Sequence, residues 1–67
     1  MKPKTFTSAL AAINPVNHRV DIHFKAGGHL INVVLSHIES DLYRSVDTVG
    51  KESYFSAEDV LIISKPL

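Results

Sequence analysis

The property that most constrains this chain is alternation. Val20, Ile22 and Phe24 keep period two, Gly27-Gly28 offers a turn, and Leu30-Ile31-Asn32-Val33-Val34-Leu35 runs back. Apolar residues at every second position bury one face of an extended strand, whereas a helix needs them three and four apart. Shorter segments of the same kind follow, the last being Val60-Leu61-Ile62-Ile63. Only one weakly helical stretch precedes them. The pattern predicts a mainly β fold in a single domain over 1–67: a short helix over 6–14, then a strongly bent five-stranded barrel over 19–65.

Each element has a local reason. Ala9-Leu10-Ala11-Ala12-Ile13 has good helix propensity, Thr7 or Ser8 is a ready cap, and Pro15 is a stop. Phe6, Leu10 and Ile13 fall on one stripe, so this helix must dock on the sheet. Residues 19–26 read as the first strand. A two-residue turn at Gly27-Gly28 sets Ala26 opposite His29, Phe24 opposite Ile31, Ile22 opposite Val33 and Val20 opposite Leu35. In that register Asp21, His23 and Lys25 share a face with Val34, Asn32 and Leu30, and His23 does not face His29. Residues 37–41 read as a loop. A third strand spans 42–46, with Tyr43 and Ser45 on one side and Leu42, Arg44 and Val46 on the other. A Gly50-containing hairpin loop, a fourth strand over 52–55 and a last strand over 60–64 complete the order. Between the last two strands, Ser56-Ala57-Glu58-Asp59 has the pattern of a single capped turn, the Ser56 hydroxyl accepting from the Asp59 amide. Pro66 ends pairing.

Size and composition then point outward. A core in a chain of 67 residues supplies only roughly 3–5 kcal/mol, and natural domains this small add a disulfide, a metal or a partner subunit. There is no cysteine, which removes the disulfide and a thiolate metal site. Val60, Leu61, Ile62 and Ile63 cannot all enter one core, because successive side chains alternate. An exposed strand of that composition is an aggregation hazard unless something pairs with it. A homo-oligomer is therefore expected, with Tyr54, Val60, Ile62 and Ile63 at the subunit interface; the competing arrangement has the helix cover this strand within one chain.

Seven basic and seven acidic side chains balance to zero, so no basic excess draws the chain to nucleic acid, and any RNA site must be local and shaped. No run approaches the roughly 18 apolar residues of a membrane span, and 8–13 is too short for a secretory core. The expected location is cytoplasmic, without membrane contact.

The order helix, five strands and a single turn before the last strand resembles the Sm/Lsm family and its bacterial Hfq branch. Tyr54-Phe55-Ser56-Ala57 is similar to the Tyr-Lys-His-Ala stretch that opens the second Sm motif of that branch. Val20-Asp21-Ile22-His23-Phe24, with Gly27 or Gly28 and Leu30, resembles the start of the first motif, and Asp41, Tyr43, Ser45 and Val46 its ending. The second glycine of the first motif falls on Asn32 or Val33. Ser45 stands at the motif's Asn, and Phe55 and Ser56 at the Lys-His pair. The resemblance implies an SH3/Sm-like barrel, assembly into a ring, and single-stranded RNA as ligand. Tyr43 and Phe55 would then stack bases, Asp41 and Ser45 bond a base, and Arg44 or Lys51 meet phosphate, with Ser56 beside Phe55 in the same site.

Other chemistry is thinly supported. Four histidines, His18, His23, His29 and His37, lack the spacing of a metal site, so no metal and no cofactor is expected. No glycine-framed nucleophile or paired carboxylate stands out, and the chain reads as a non-enzyme. Gly27-Gly28 is a hairpin turn rather than a phosphate loop, which would need a following helix. The alternative to RNA binding is a structural or protein-interaction module of the same fold.

Overall fold

A computed structural model describes residues 1–13 and 19–66. Helix α1 spans Pro3–Ile13, and the strands are β1 (Arg19–Phe24), β2 (His29–Glu39), β3 (Leu42–Val46), β4 (Glu52–Ser56) and β5 (Val60–Ser64). One turn of 3-10 helix, Ala57–Asp59, joins β4 to β5. The strands form one antiparallel sheet in the order β4-β3-β2-β1-β5. The helix and five strands of the expected mainly β fold are present. The barrel is not closed: β4 and β5 are the two outer strands and do not pair with each other.

The helix starts earlier than the sequence reading placed it. Pro3 takes the first position, where its missing N–H is no loss. Thr7 is inside the helix, its hydroxyl donating to the Pro3 carbonyl at 3.0 Å, and Ser8 is inside too, so neither is a cap. The expected stop at Pro15 and the histidine at 18 lie outside the described residues. The predicted stripe does hold. Phe6 is fully buried, and Leu10 and Ile13 pack partly buried against the core. α1 lies on β5 and the 3-10 turn, and its Phe6 ring meets Tyr43 edge-on at 4.7 Å and Phe55 at 6.0 Å. Val20, Ile22, Val33, Ala57 and Val60 complete the fully enclosed set.

The β1–β2 hairpin corrects the expected register. Its loop has four residues, Lys25, Ala26, Gly27 and Gly28, and both glycines sit at positive φ, 99° and 85°. Such angles carry little penalty for glycine alone. Val20 faces Val33, Ile22 faces Leu30, and His23 faces His29. Between the first two pairs β2 carries one extra residue, a β-bulge at Ile31-Asn32. Asn32 takes φ 55°, a left-handed angle that asparagine tolerates better than most residues. Its peptide groups are stitched to β1: the Asn32 N–H donates to a carboxylate oxygen of the buried Asp21 at 2.8 Å, and Arg19 donates to the Asn32 carbonyl at 2.9 Å.

β2 also runs further than expected. The stretch 37–41, read as a loop, is mostly strand, and the turn shrinks to Ser40 and Asp41. A second bulge, at Ile38, absorbs the surplus residue. By contrast β3 matches its predicted bounds, and Tyr43 and Ser45 point inward as the alternation required.

Candidate functional site

The residues singled out from the sequence divide into three groups. The first is buried. Tyr43 and Phe55 lie 7% and 8% exposed in the core, their rings nearly parallel at 5.9 Å. Phe6 covers Tyr43, and Phe24 abuts Phe55 at 5.5 Å. A base needs an open aromatic face to stack on, and neither ring offers one. Ser45 is also enclosed, its hydroxyl donating to the Ser53 carbonyl at 3.4 Å. These positions belong to the fold rather than to a ligand platform.

The second group gathers where the β2–β3 turn meets the end of β4. Ser56 donates its hydroxyl to an Asp41 carboxylate oxygen at 2.6 Å. The Ala57 N–H donates to the Asp41 carbonyl at 2.8 Å. The same Ser56 oxygen caps the 3-10 turn by accepting from the Glu58 N–H at 3.3 Å, one residue earlier than the expected Asp59. His37, not among the predicted site residues, joins this end: its Nε2 lies 2.6 Å from the Ser40 carbonyl and its ring 5.0 Å from Tyr43. Asp41 and Ser56 are thus brought together, their polar atoms largely spent on each other. Arg44 stands apart from them on the opposite face of β3, 3.7 Å from Glu52.

The third group is the open seam. On β4, Tyr54 is 59% exposed; on β5, Leu61 and Ile62 are 56% and 50% exposed. Of the four residues expected at an interface, Tyr54 and Ile62 face solvent, whereas Val60 and Ile63 are buried in the core. Leu61 was missed because β5 does not alternate. A bulge against β1, between the Ile62–His23 and Val60–Phe24 pairs, turns Leu61 and Ile62 outward together and returns Ile63 to the core. The tetrad's inability to enter one core was readable, but which two would leave was not. The Met1 amino group donates to the Val60 carbonyl at 2.7 Å and the Glu58 carbonyl at 3.1 Å. Among the described residues, Met1 thus bonds to the start of β5 and the helix packs against that strand. A cleft of about 460 Å³ is lined by Phe24, Lys25 and Gly27 at the end of β1 and its loop, by Tyr54 and Phe55 of β4, and by Asp59.

Among the described residues there is no group of three or more His, Cys, Asp or Glu side chains placed to hold a metal. No helix among them is long and apolar enough to cross a membrane. No family model, no curated protein and no solved structure matches this chain.

Proposed function

We propose that this protein is a non-catalytic Sm-like binding module that works as a homo-oligomer, β4 of each copy pairing with β5 of the next. The observation that carries the reading is that β4 and β5 are the outer strands of the sheet, neither joined to a further strand among the described residues, with Tyr54, Leu61 and Ile62 in solvent. An unpaired edge presents free N–H and C=O groups, and apolar side chains beside it make exposure costlier still. Two different edges on one chain give a head-to-tail contact, which closes into a ring when the rotation per copy allows. The assembly completes between copies the closure that one sheet lacks.

For what the assembly binds, a structural or protein-interaction role comes first. Burial of Tyr43 and Phe55 removes the stacking platforms that an RNA reading relied on, and the balanced charge supplies no long-range pull on phosphate. Single-stranded RNA is the second reading, favoured by the polar cluster of His37, Asp41 and Ser56 at the turn where the resemblance places the ligand. Bases would be held there by edge contacts rather than by stacking.

Light scattering after size exclusion tests the assembly: a mass several times 7.4 kDa is expected, and a monomer at micromolar concentration would overturn it. Titration with uridine-rich and adenine-rich RNA at low salt separates the ligand classes. Binding that falls steeply with added salt selects RNA; no binding to either strand leaves the interaction module.

A further inference from the structure

We propose that His23 and His29 form a two-imidazole site for a late first-row divalent cation, Cu²⁺ or Zn²⁺, on the exposed face of the β1–β2 hairpin. The corrected register makes the pair: the two residues sit directly opposite across the ladder. The hydrogen bond just beyond them, from the Phe24 N–H to the Gly28 carbonyl at 3.1 Å, identifies their position as a non-hydrogen-bonded pair. That kind of pair brings facing side chains closest, with α-carbons about 4.5 Å apart. The pair stands at the neck of a tight loop, which fixes the spacing of the two backbones.

The ring geometry fits one shared ion. With a metal–nitrogen bond of about 2.0–2.1 Å, each ring centre lies about 3.2 Å from the ion, so the angles of about 110–130° open to a tetrahedral ion such as Zn²⁺ separate two centres by about 5.2–5.8 Å. The cis angle of about 90° preferred by Cu²⁺ needs them drawn in to about 4.5 Å. The His23 and His29 centroids are 5.7 Å apart, with planes inclined at 46°. Both side chains are exposed. No hydrogen bond or ion pair holds either ring among the described residues, whereas the Nε2 of His37 is engaged by Ser40. Histidine χ2 is broadly distributed, so both rings can turn a nitrogen lone pair onto one point at little cost.

Among the described residues no third protein ligand stands nearby, and water would fill the positions that the two imidazoles leave. The affinity then follows the ordinary order, Cu²⁺ above Zn²⁺. Across the ladder on the other side of His23 lies Ile62, whose apolar side chain neither competes for nor adds to the coordination. The site depends on one chain only and stands whether or not copies assemble.

The test is titration of the protein, free of any histidine tag, with CuCl₂ and separately with ZnCl₂, followed by calorimetry and by the imidazole proton resonances. One ion per chain is expected, with the His23 and His29 resonances shifting and that of His37 unmoved. For Cu²⁺, the electron paramagnetic resonance spectrum should show two nitrogen ligands. His23→Gln and His29→Gln should each weaken binding at least about tenfold, with an unchanged thermal midpoint in the metal-free state. Binding that survives both substitutions, or no binding of either ion at millimolar concentration, would overturn the assignment.

Discussion

The β3–β4 hairpin and the β1–β2 hairpin solve the same problem in opposite ways. In the first, five consecutive pairs from Leu42–Ser56 to Val46–Glu52 run without interruption. Alternation alone then decides which side chains enter the core. In the second, a four-residue loop and a bulge break the count, and an asparagine in the left-handed region carries the break. Regular pairing is specified by the pattern of apolar residues; irregular pairing is specified by a few polar groups that satisfy the displaced backbone. Asp21 and Arg19, holding the two peptide groups of Asn32, are those groups here. The two outer strands inherit the contrast. β4 is regular and offers Tyr54, while β5 is bulged and offers two adjacent residues, Leu61 and Ile62.

If this contrast is right, disturbing the two hairpins should have unequal and separable consequences. The largest effect falls on the aromatic core under the regular hairpin. Phe6→Ala removes the ring that seals Tyr43 and Phe55 and should cost about 3–5 kcal/mol, enough to unfold much of the population at room temperature. Urea midpoints measure it; a loss under 1 kcal/mol, on the order of a surface change, would mean Phe6 is not the keystone. A smaller effect sharpens the irregular side. Asn32→Val forces a β-branched residue to φ 55° and should cost about 1–2 kcal/mol, whereas Asn32→Gly should stay within about 0.5 kcal/mol. Equal losses from both substitutions would remove the left-handed asparagine from the explanation. The smallest effect is on the surface of the regular hairpin. Glu52→Gln loosens a half-exposed contact with Arg44 at 3.7 Å and should change stability by no more than about 0.5 kcal/mol.

The same contrast explains what was legible. The bounds of β3 and β5, the inward Tyr43 and Ser45, the Phe6–Leu10–Ile13 stripe and the Ser56-capped turn follow from local periodicity and capping chemistry. The registers of β1 with β2 and with β5 do not, because a bulge is invisible to a period-two count. Asn32, one of two residues on which the resemblance's glycine could fall, adopts a left-handed backbone angle, which nothing in the alternation announces. The candidate site was less legible than the fold. Tyr43 and Phe55 are as consistent with stacking platforms as with core residues until Phe6 is seen to cover them. Leu61 and the facing His23 and His29 emerge only once the bulge and the four-residue loop are known.

The central claim is that two different edges, β4 and β5, join one copy to the next, and substituted chains mixed in solution test it most directly. Tyr54→Lys spoils only the β4 edge and Ile62→Lys only the β5 edge. Each variant alone should scatter as a folded monomer of about 7.4 kDa. Mixed in equal amounts they retain one good β4 edge and one good β5 edge between them, and the mixture should weigh as a dimer and grow no further. A mixture that remains monomeric, or single variants that keep the mass of the unsubstituted protein, would contradict the head-to-tail assembly.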